Sequence, residues 1–443
     1  MRSSTPSRRG KWERDSAAAP LFGYMPTGVV FTRMRAGLLG RKLGHSFSPQ
    51  IHARLGSYSY DLFEVEPDAL DNFMRGDRFD AMNVTIPYKK DVIPYCAELS
   101  DAARAIGSVN TIVRRADGTL FGDNTDAAGF TAMLKRLKLD PKDKKALVLG
   151  SGGASLTVRH VLQQLGAEVV VISRSGKDNY ENLDLHKDAR ILVNTTPVGM
   201  YPNNGAAALS LSHFPRLEGV LDLIYNPART ALILDAMERG IPALGGLTML
   251  VEQSRAAAER FTGTQIDPAC SEEIRRSLQG ETENIILIGM PGSGKTTLGQ
   301  LIAEQTGRRF ADSDDLIVER AGMSIPEYFA GHTEAEFRAL ETACIAELGK
   351  QSGLVIATGG GCVTKPENLN LLKQNGRIFF IQRALDKLPT DGRPISQANP
   401  LEELYQKRLP LYRSFADAEI DNNGAPESTA ARILEVYHET VGR

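Results

Sequence analysis

Short apolar runs alternate with helix-length amphipathic segments along most of this chain. KALVLG at 145–150, EVVVIS at 168–173, ILVNT at 191–195 and GVLDLIY at 219–225 are brief and rich in aliphatic and β-branched residues, with room for a helix between most of them. Strands and helices alternating in this way predict a parallel sheet with helices over its faces. A polar stretch, TGTQIDPACSEEIRRSLQGETE at 262–283, breaks the series, and NIILIG at 284–289 opens a second one. A domain boundary is therefore expected within that stretch. Residues 1–35 show no periodic apolar pattern; they are polar, basic and small, hold the only tryptophan, Trp12, and read as a disordered leader. A targeting peptide is the other reading of such a leader, although Glu13 and Asp15 interrupt it and Met34 offers an alternative start. The fold is expected to begin near Ala36.

At 443 residues the chain exceeds what one hydrophobic core usually organises, so two or three domains are expected. Hydrophobic residues make up 42% and charged residues 24%, and the net charge of -2 provides no field to attract nucleic acid or anionic lipid. This balance favours an enzyme of small molecules, with no nucleic-acid or membrane partner. Cys96, Cys270, Cys344 and Cys362 form no CxxC pair, which argues for a reducing compartment and against zinc. No apolar stretch approaches the roughly 18 residues that span a bilayer. A cytoplasmic protein is expected.

The first specific chemistry lies at GMPGSGKT, Gly289 to Thr296, which satisfies GxxxxGK[ST] between the strand NIILIG and the helix-like TTLGQLIAEQTG. A glycine-rich turn with an incidental lysine would not explain why strand, loop and helix fall in the required order. Such a loop closes backbone N–H groups around phosphate oxygens at a helix N-terminus. Gly292, Ser293, Gly294, Lys295, Thr296 and Thr297 are the candidate ATP ligands, Lys295 for the outer phosphates and Thr296 also for Mg²⁺. Downstream, FADSDD at 310–315, TEAEFRALE at 333–341, ATGGGC at 357–362, GRP at 392–394 and KRLPLY at 407–412 follow in the order of the shikimate kinase family, which this half resembles throughout. The resemblance implies that Asp314 binds the acceptor's hydroxyls and that Asp312 stands near Mg²⁺ through water. It also implies that Arg338 and Arg408 hold the acceptor's carboxylate, for which a guanidinium fork is well suited. On residue spacing alone, Arg338 is equally an ion-pair partner of Glu341 at i+3. Gly360 is implied as a close backbone contact, and Arg393 as a catalytic lid residue that contacts ATP and stabilises charge on the transferring phosphoryl group. Fewer residues separate IFFIQ from Arg393 than the family usually has.

The second phosphate-binding signature follows KALVLG. Gly150, Ser151, Gly152, Gly153 and Ala154 precede a helix-like run and then the strand EVVVIS, a βαβ dinucleotide unit with GxGGA in place of GxGxxG. Where an NAD enzyme places an acidic residue at the end of that second strand, this chain has Ser173, Arg174 and Ser175, which suits a 2′-phosphate and hence NADP. GRKLGHSFSP, MNVTIPYKKD, GSVNT, GDNTDAAGF, DLIYNP and GGLTMLVEQ, spread from about residue 37 to 262, resemble the shikimate dehydrogenase family. That resemblance makes Lys89 and Asp126 the catalytic pair; in isolation Lys89 reads as a solvated lysine and Asp126 as a helix cap. An amine beside a carboxylate can supply the proton that a reduced ketone needs. Ser46 and Ser48, spaced to face the same way on an extended segment, would bind the ring carboxylate, with Thr85, Asn110, Tyr225 and Gln253 lining the polyol pocket together with the catalytic pair. Asp101, Leu223 and Gly246 would approach the nicotinamide.

The two resemblances together imply an α/β chain with an N-terminal two-lobed dehydrogenase, built of an α/β substrate lobe and a Rossmann NADP lobe, and a C-terminal P-loop kinase of nucleoside-monophosphate-kinase type. The implied substrate lobe comprises 36–138 and 240–262, the NADP lobe 139–239, the linker 263–283 and the kinase 284–443. The reactions implied are NADPH-dependent reduction of 3-dehydroshikimate to shikimate, then MgATP-dependent phosphorylation of shikimate to shikimate 3-phosphate. The alternatives are a dehydrogenase that prefers quinate or uses NAD, and a kinase-like half that acts as a regulatory binding module.

Overall fold

In the computed structural model, residues 34–44, 46–388 and 401–441 are described, and they build three sheets in series along the chain. Residues 1–33 of the expected leader lie outside the described residues, and Arg35 opens the first strand. The first sheet has six strands in the spatial order Ser59–Glu64, Arg35–Gly40, Ala81–Val84, Thr111–Arg114, Leu120–Asp123 and Glu98–Leu99. It is mixed: Thr111–Arg114 runs antiparallel to both of its neighbours. The pairing with Leu120–Asp123 is a local hairpin, because Asp117 and Gly118 turn the chain in the few residues after Arg114, Gly118 taking φ +85 and the Asp117 carboxylate accepting from the Thr119 N–H.

The second sheet is parallel throughout, in the order Ala243–Leu244, Gly219–Asp222, Ile191–Asn194, Lys145–Leu149 and Glu168–Ile172. The third is parallel as well, in the order Arg309–Asp312, Leu354–Ala357, Asn284–Ile288, Gly376–Gln382 and Ala418–Asp421. Both carry apolar side chains on two faces, so their central strands are buried from end to end, and this is why they read as continuous apolar runs. In each parallel sheet the first strand in the chain is an interior one, and the later strands are laid down on both sides of it. Such a switch opens a crevice at the carboxyl ends of the strands, where ligands bind.

Helices Asp126–Arg136 and Leu247–Thr262 pack together between the first two sheets. Gly129 permits their close approach, since a Cβ there would stand 2.6 Å from the Met249 carbonyl oxygen. The return to the first lobe comes later than residue 240: Ala243–Leu244 still pairs with the second sheet, and only with Leu247–Thr262, whose Ala257 and Phe261 pack on Ala36 and Ala81, is the first lobe rejoined.

The stretch expected to be a linker is helix Pro268–Thr282, which buries Ile274 and Leu278 against Ile51, Leu55, Val251 and Ala258. Its apolar stripe is one i,i+4 pair wide, so its composition reads as polar although its inner face belongs to a core. No described helix is long and apolar enough to cross a membrane.

Candidate active sites

A cavity of about 510 Å³ opens between the first two sheets. It is lined by Ser46, Ser48, Thr85, Lys89, Asn110, Asp126, Tyr225 and Gln253 together, so six separated places in the sequence converge on it. Lys89 Nζ donates to Asp126 Oδ2 at 2.6 Å, and both side chains are largely withdrawn from solvent. Asp126 opens its helix, yet its carboxylate turns to Lys89. Asn110 fixes that helix start: its Oδ1 accepts from the Thr125 N–H at 2.7 Å, while its Nδ2 reaches Gln253 Oε1 at 3.4 Å. The polar wall is therefore oriented before any substrate arrives.

Ser46 and Ser48 do not lie on an extended segment. Pro49 favours a helical start, so Ser48 is the first residue of helix Ser48–Leu55, and its N–H donates to Ser46 Oγ at 3.2 Å. Both still face the cavity. Sequence reasoning passed over Asn83 and Lys42, which also line it; Asn83 is buried, accepts from the Tyr60 hydroxyl at 2.8 Å and donates to Thr111 Oγ1 at 3.2 Å. Its signal was its place two residues before Thr85, on the same face of an extended strand end.

At the same mouth lie Ala154, Leu223 and Gly246. Gly246 donates its N–H to the Ile224 carbonyl at 2.8 Å, and any Cβ there would overlap the Leu223 carbonyl. Gly150 takes φ +101 at the end of its strand, and Gly152 and Gly153 leave open space at the start of helix Gly153–Gln164, with Ser151 between. This is a cradle that side chains would fill. Ser173, Arg174 and Ser175 form the turn after Glu168–Ile172, with Arg174 exposed. Asp101 is not brought to the cavity: it heads helix Asp101–Ile106, is fully exposed and pairs with Arg104 at 3.3 Å.

A second cavity, of about 290 Å³, lies at the carboxyl ends of the third sheet and is lined by Gly292, Lys295, Thr296, Asp312, Asp314, Arg338, Gly360 and Arg408. Gly292 and Gly294 take φ +81 and +96, which lets the loop turn into helix Lys295–Thr306. Lys295 Nζ donates to the Gly289 and Met290 carbonyls at 3.0 Å, Ser293 is buried, and Thr297 stands exposed in the first turn. Thr296 Oγ1 donates to Asp312 Oδ2 at 2.9 Å, and Asp312 Oδ1 accepts from the Asp314 N–H at 3.0 Å, capping helix Ser313–Ala321. Burial, then the neighbouring Asp312 charge, push the Asp314 carboxyl up to about 6, with Lys295 opposing.

Arg338 makes the expected i+3 pair, donating to Glu341 Oε2 at 2.8 Å, and it also lines the cavity. Arg408 Nη1 and the Tyr412 hydroxyl both donate to the Gly360 carbonyl, at 3.1 and 2.5 Å. Glu341, Phe329, Phe337 and Ile325 complete the wall. Arg383, outside every motif, places Nη1 4.0 Å from where a Cβ on Gly294 would lie. Arg393 falls outside the described residues.

Comparison with known proteins separates the two halves. Residues 38–112 match the family model of the shikimate dehydrogenase substrate binding domain, and residues 291–438 match that of shikimate kinase. The NADP(+)-type shikimate dehydrogenase of Clostridium perfringens strain SM101 is 35% identical over 265 residues, 55% of this chain and 97% of that protein. That of Halothermothrix orenii is 38% identical over 261 residues, 51% of this chain and 90% of its own length. Among solved structures, a chorismate mutase/shikimate 5-dehydrogenase fusion from Clostridium acetobutylicum is 34% identical with a TM-score of 0.53, covering 56% of this chain and 98% of that one. The Thermus thermophilus shikimate 5-dehydrogenase in complex with NADP(H) and shikimate is 33% identical with a TM-score of 0.51, covering 55% and 99%. The chain thus belongs to the shikimate dehydrogenase family through its N-terminal part and carries a shikimate kinase domain fused behind it.

Proposed function

We propose that the first cavity reduces 3-dehydroshikimate with NADPH and that the second phosphorylates the resulting shikimate with MgATP, the two consecutive reactions of a bifunctional shikimate-pathway enzyme. The observation that carries this reading is the 2.6 Å contact of Lys89 with Asp126 inside a cavity otherwise walled by hydroxyls and amides. The open glycine cradle at Gly152 and Gly153 fits a dinucleotide diphosphate, and exposed Arg174 suits the 2′-phosphate. NADPH supplies the hydride. Ser46 and Ser48 orient the ring through its carboxylate, and Thr85, Asn110, Tyr225 and Gln253 bind its hydroxyls. Lys89 Nζ gives a proton to the carbonyl oxygen as charge develops there, and Asp126 holds the ammonium in place. Leu223 and Gly246 shape the nicotinamide side.

In the kinase half, the left-handed glycines and Lys295 would hold the nucleotide phosphates, and Thr296 with Asp312, the latter through water, would hold Mg²⁺. MgATP supplies the phosphoryl group. Asp314 and the Gly360 backbone position the acceptor hydroxyls, while Arg338 and Arg408 hold the carboxylate. Arg393 keeps its proposed role at the transferring phosphoryl group on sequence grounds. Small-molecule substrates alone are proposed, in the cytoplasm, a reading supported by near-neutral charge and four unpaired cysteines.

Two variants test the division of labour. Lys295→Met should lower shikimate-dependent ADP formation by roughly 10²-fold or more while NADP⁺-dependent shikimate oxidation persists. Lys89→Ala should do the converse, cutting shikimate oxidation by roughly 10²–10⁴-fold with NADP⁺ affinity intact. Loss of both activities in either variant would remove the assignment.

A further inference from the structure

The loop that carries Leu223 and Tyr225 into the dehydrogenase cavity runs from strand Gly219–Asp222 to helix Ala231–Glu238. At its base it is held from within its own lobe. Buried Asp222 accepts from the Ile224 N–H at 3.1 Å, from Asn194 Nδ2 at 3.0 Å and from the Thr230 hydroxyl at 2.7 Å. The far end is held by the kinase half. The Ala228 N–H donates to Asn375 Oδ1 and the Arg229 N–H to the Gln374 carbonyl, both at 2.8 Å. The Arg229 guanidinium reaches further: Nη1 donates to the Lys373 and Gly376 carbonyls at 2.8 and 3.2 Å, and Nη2 to Glu283 Oε1 at 2.5 Å. Glu283 is buried and also faces Arg377 at 3.4 Å, so this ion pair is desolvated rather than a surface contact. Asn204 adds a bond to Gln374 Oε1 at 2.7 Å.

Arg229 therefore sits four residues beyond Tyr225 on a short segment stiffened by Pro227, and it clamps that segment to the start of the kinase strand Gly376–Gln382. Backbone N–H groups at Ala228 and Arg229 must find partners, and here the partners come from a different enzyme. The geometry points to Arg229 as a positioning residue of the dehydrogenase: the kinase half fixes the far end of the substrate loop and thereby sets where Tyr225 meets shikimate. This rests on the reading that Tyr225 lines the shikimate pocket. Misplacement of a binding group by about 1 Å can cost up to two orders of magnitude, so removing the clamp is expected to weaken substrate capture while leaving the Lys89–Asp126 pair in place.

The test uses the full chain and both of its activities. Arg229→Ala should raise the dehydrogenase KM for shikimate roughly tenfold with kcat changed by less than about twofold, and the kinase constants should not move. Arg229→Lys keeps a cation against Glu283 but cannot span both carbonyls, so an intermediate KM is expected; it also serves if the alanine variant does not fold. Tyr225→Phe, measured alongside, probes the pocket itself. If Tyr225→Phe leaves the shikimate KM unchanged, the placement of Tyr225 in the pocket is wrong and the clamp has no target. If Tyr225→Phe raises it and neither Arg229 variant does, the clamp alone is overturned. Parallel loss of dehydrogenase and kinase kcat in the Arg229 variants would likewise overturn it, in favour of a merely structural contact.

Discussion

Asp314 shows how one residue's surroundings set a working range. Burial disfavours its charged form, and Asp312 adds like charge, so the carboxylate that would accept hydrogen bonds from shikimate forms only above about 6 instead of near 4. The sign follows directly: acidification below 6 protonates it and removes the acceptor. The kinase kcat/KM for shikimate, followed against pH at limiting MgATP, should show an acid limb with its midpoint near 6. A midpoint at 4 or below would take Asp314 out of the substrate site. The residue was legible in FADSDD, but its raised pKa was not, because burial is a property of the packed mouth formed with Glu341, Phe337 and the Gly359–Gly361 turn. Asp101 illustrates the converse. Its family position suggested the nicotinamide; in the structure it is the first residue of a short helix capped by Ser100, and its exposed side chain pairs with Arg104.

Whole elements carry the precision of both sites. Gly246 lies at the N-terminus of helix Leu247–Thr262, against the Leu223 carbonyl, where no side chain fits. Gly246→Ala must displace either the helix start or the Leu223 loop, and an overpacked site of this kind typically costs about 1–3 kcal/mol. Dehydrogenase kcat/KM should fall at least about tenfold with the kinase unaffected, whereas unchanged dehydrogenase kinetics would show that the loop yields freely. Element existence was readable wherever both faces are buried, as in Asn284–Ile288 and Ile191–Asn194. It failed at Pro268–Thr282, where two inward residues, Ile274 and Leu278, were outvoted by the acids and arginines around them. It also failed to show the mixed first sheet, since the direction of Thr111–Arg114 is set by the Asp117–Gly118 hairpin on one side and by a long-range pairing with Ala81–Val84 on the other, and hydrophobic periodicity encodes neither.

For the whole molecule, the expected picture of two enzymes on a linker gives way to a joint built from core. The described residues from Met34 onward form one compact unit, and the joining helix buries Leu278 in the dehydrogenase half only a few residues before the kinase strand Asn284–Ile288 begins. Leu278→Ala should cost about 2–5 kcal/mol, and heating should abolish both activities over one temperature range, as read by residual assays beside scanning calorimetry. Two separate thermal transitions, with only the dehydrogenase shifted, would mean that the halves are thermally independent. What the sequence by itself determined are the features whose parts are neighbours along the chain: the two phosphate-binding loops, the strands that feed them, and the residue types offered to each substrate. Their geometry is local, so a motif is enough to state it. The tertiary structure alone decided which distant residues share a cavity, such as Asn110 and Gln253 at a separation of 143, and which enzyme holds the Arg229 loop. Those contacts depend on how helices and sheets pack, and no local pattern of apolar and polar positions encodes the partner across such a distance.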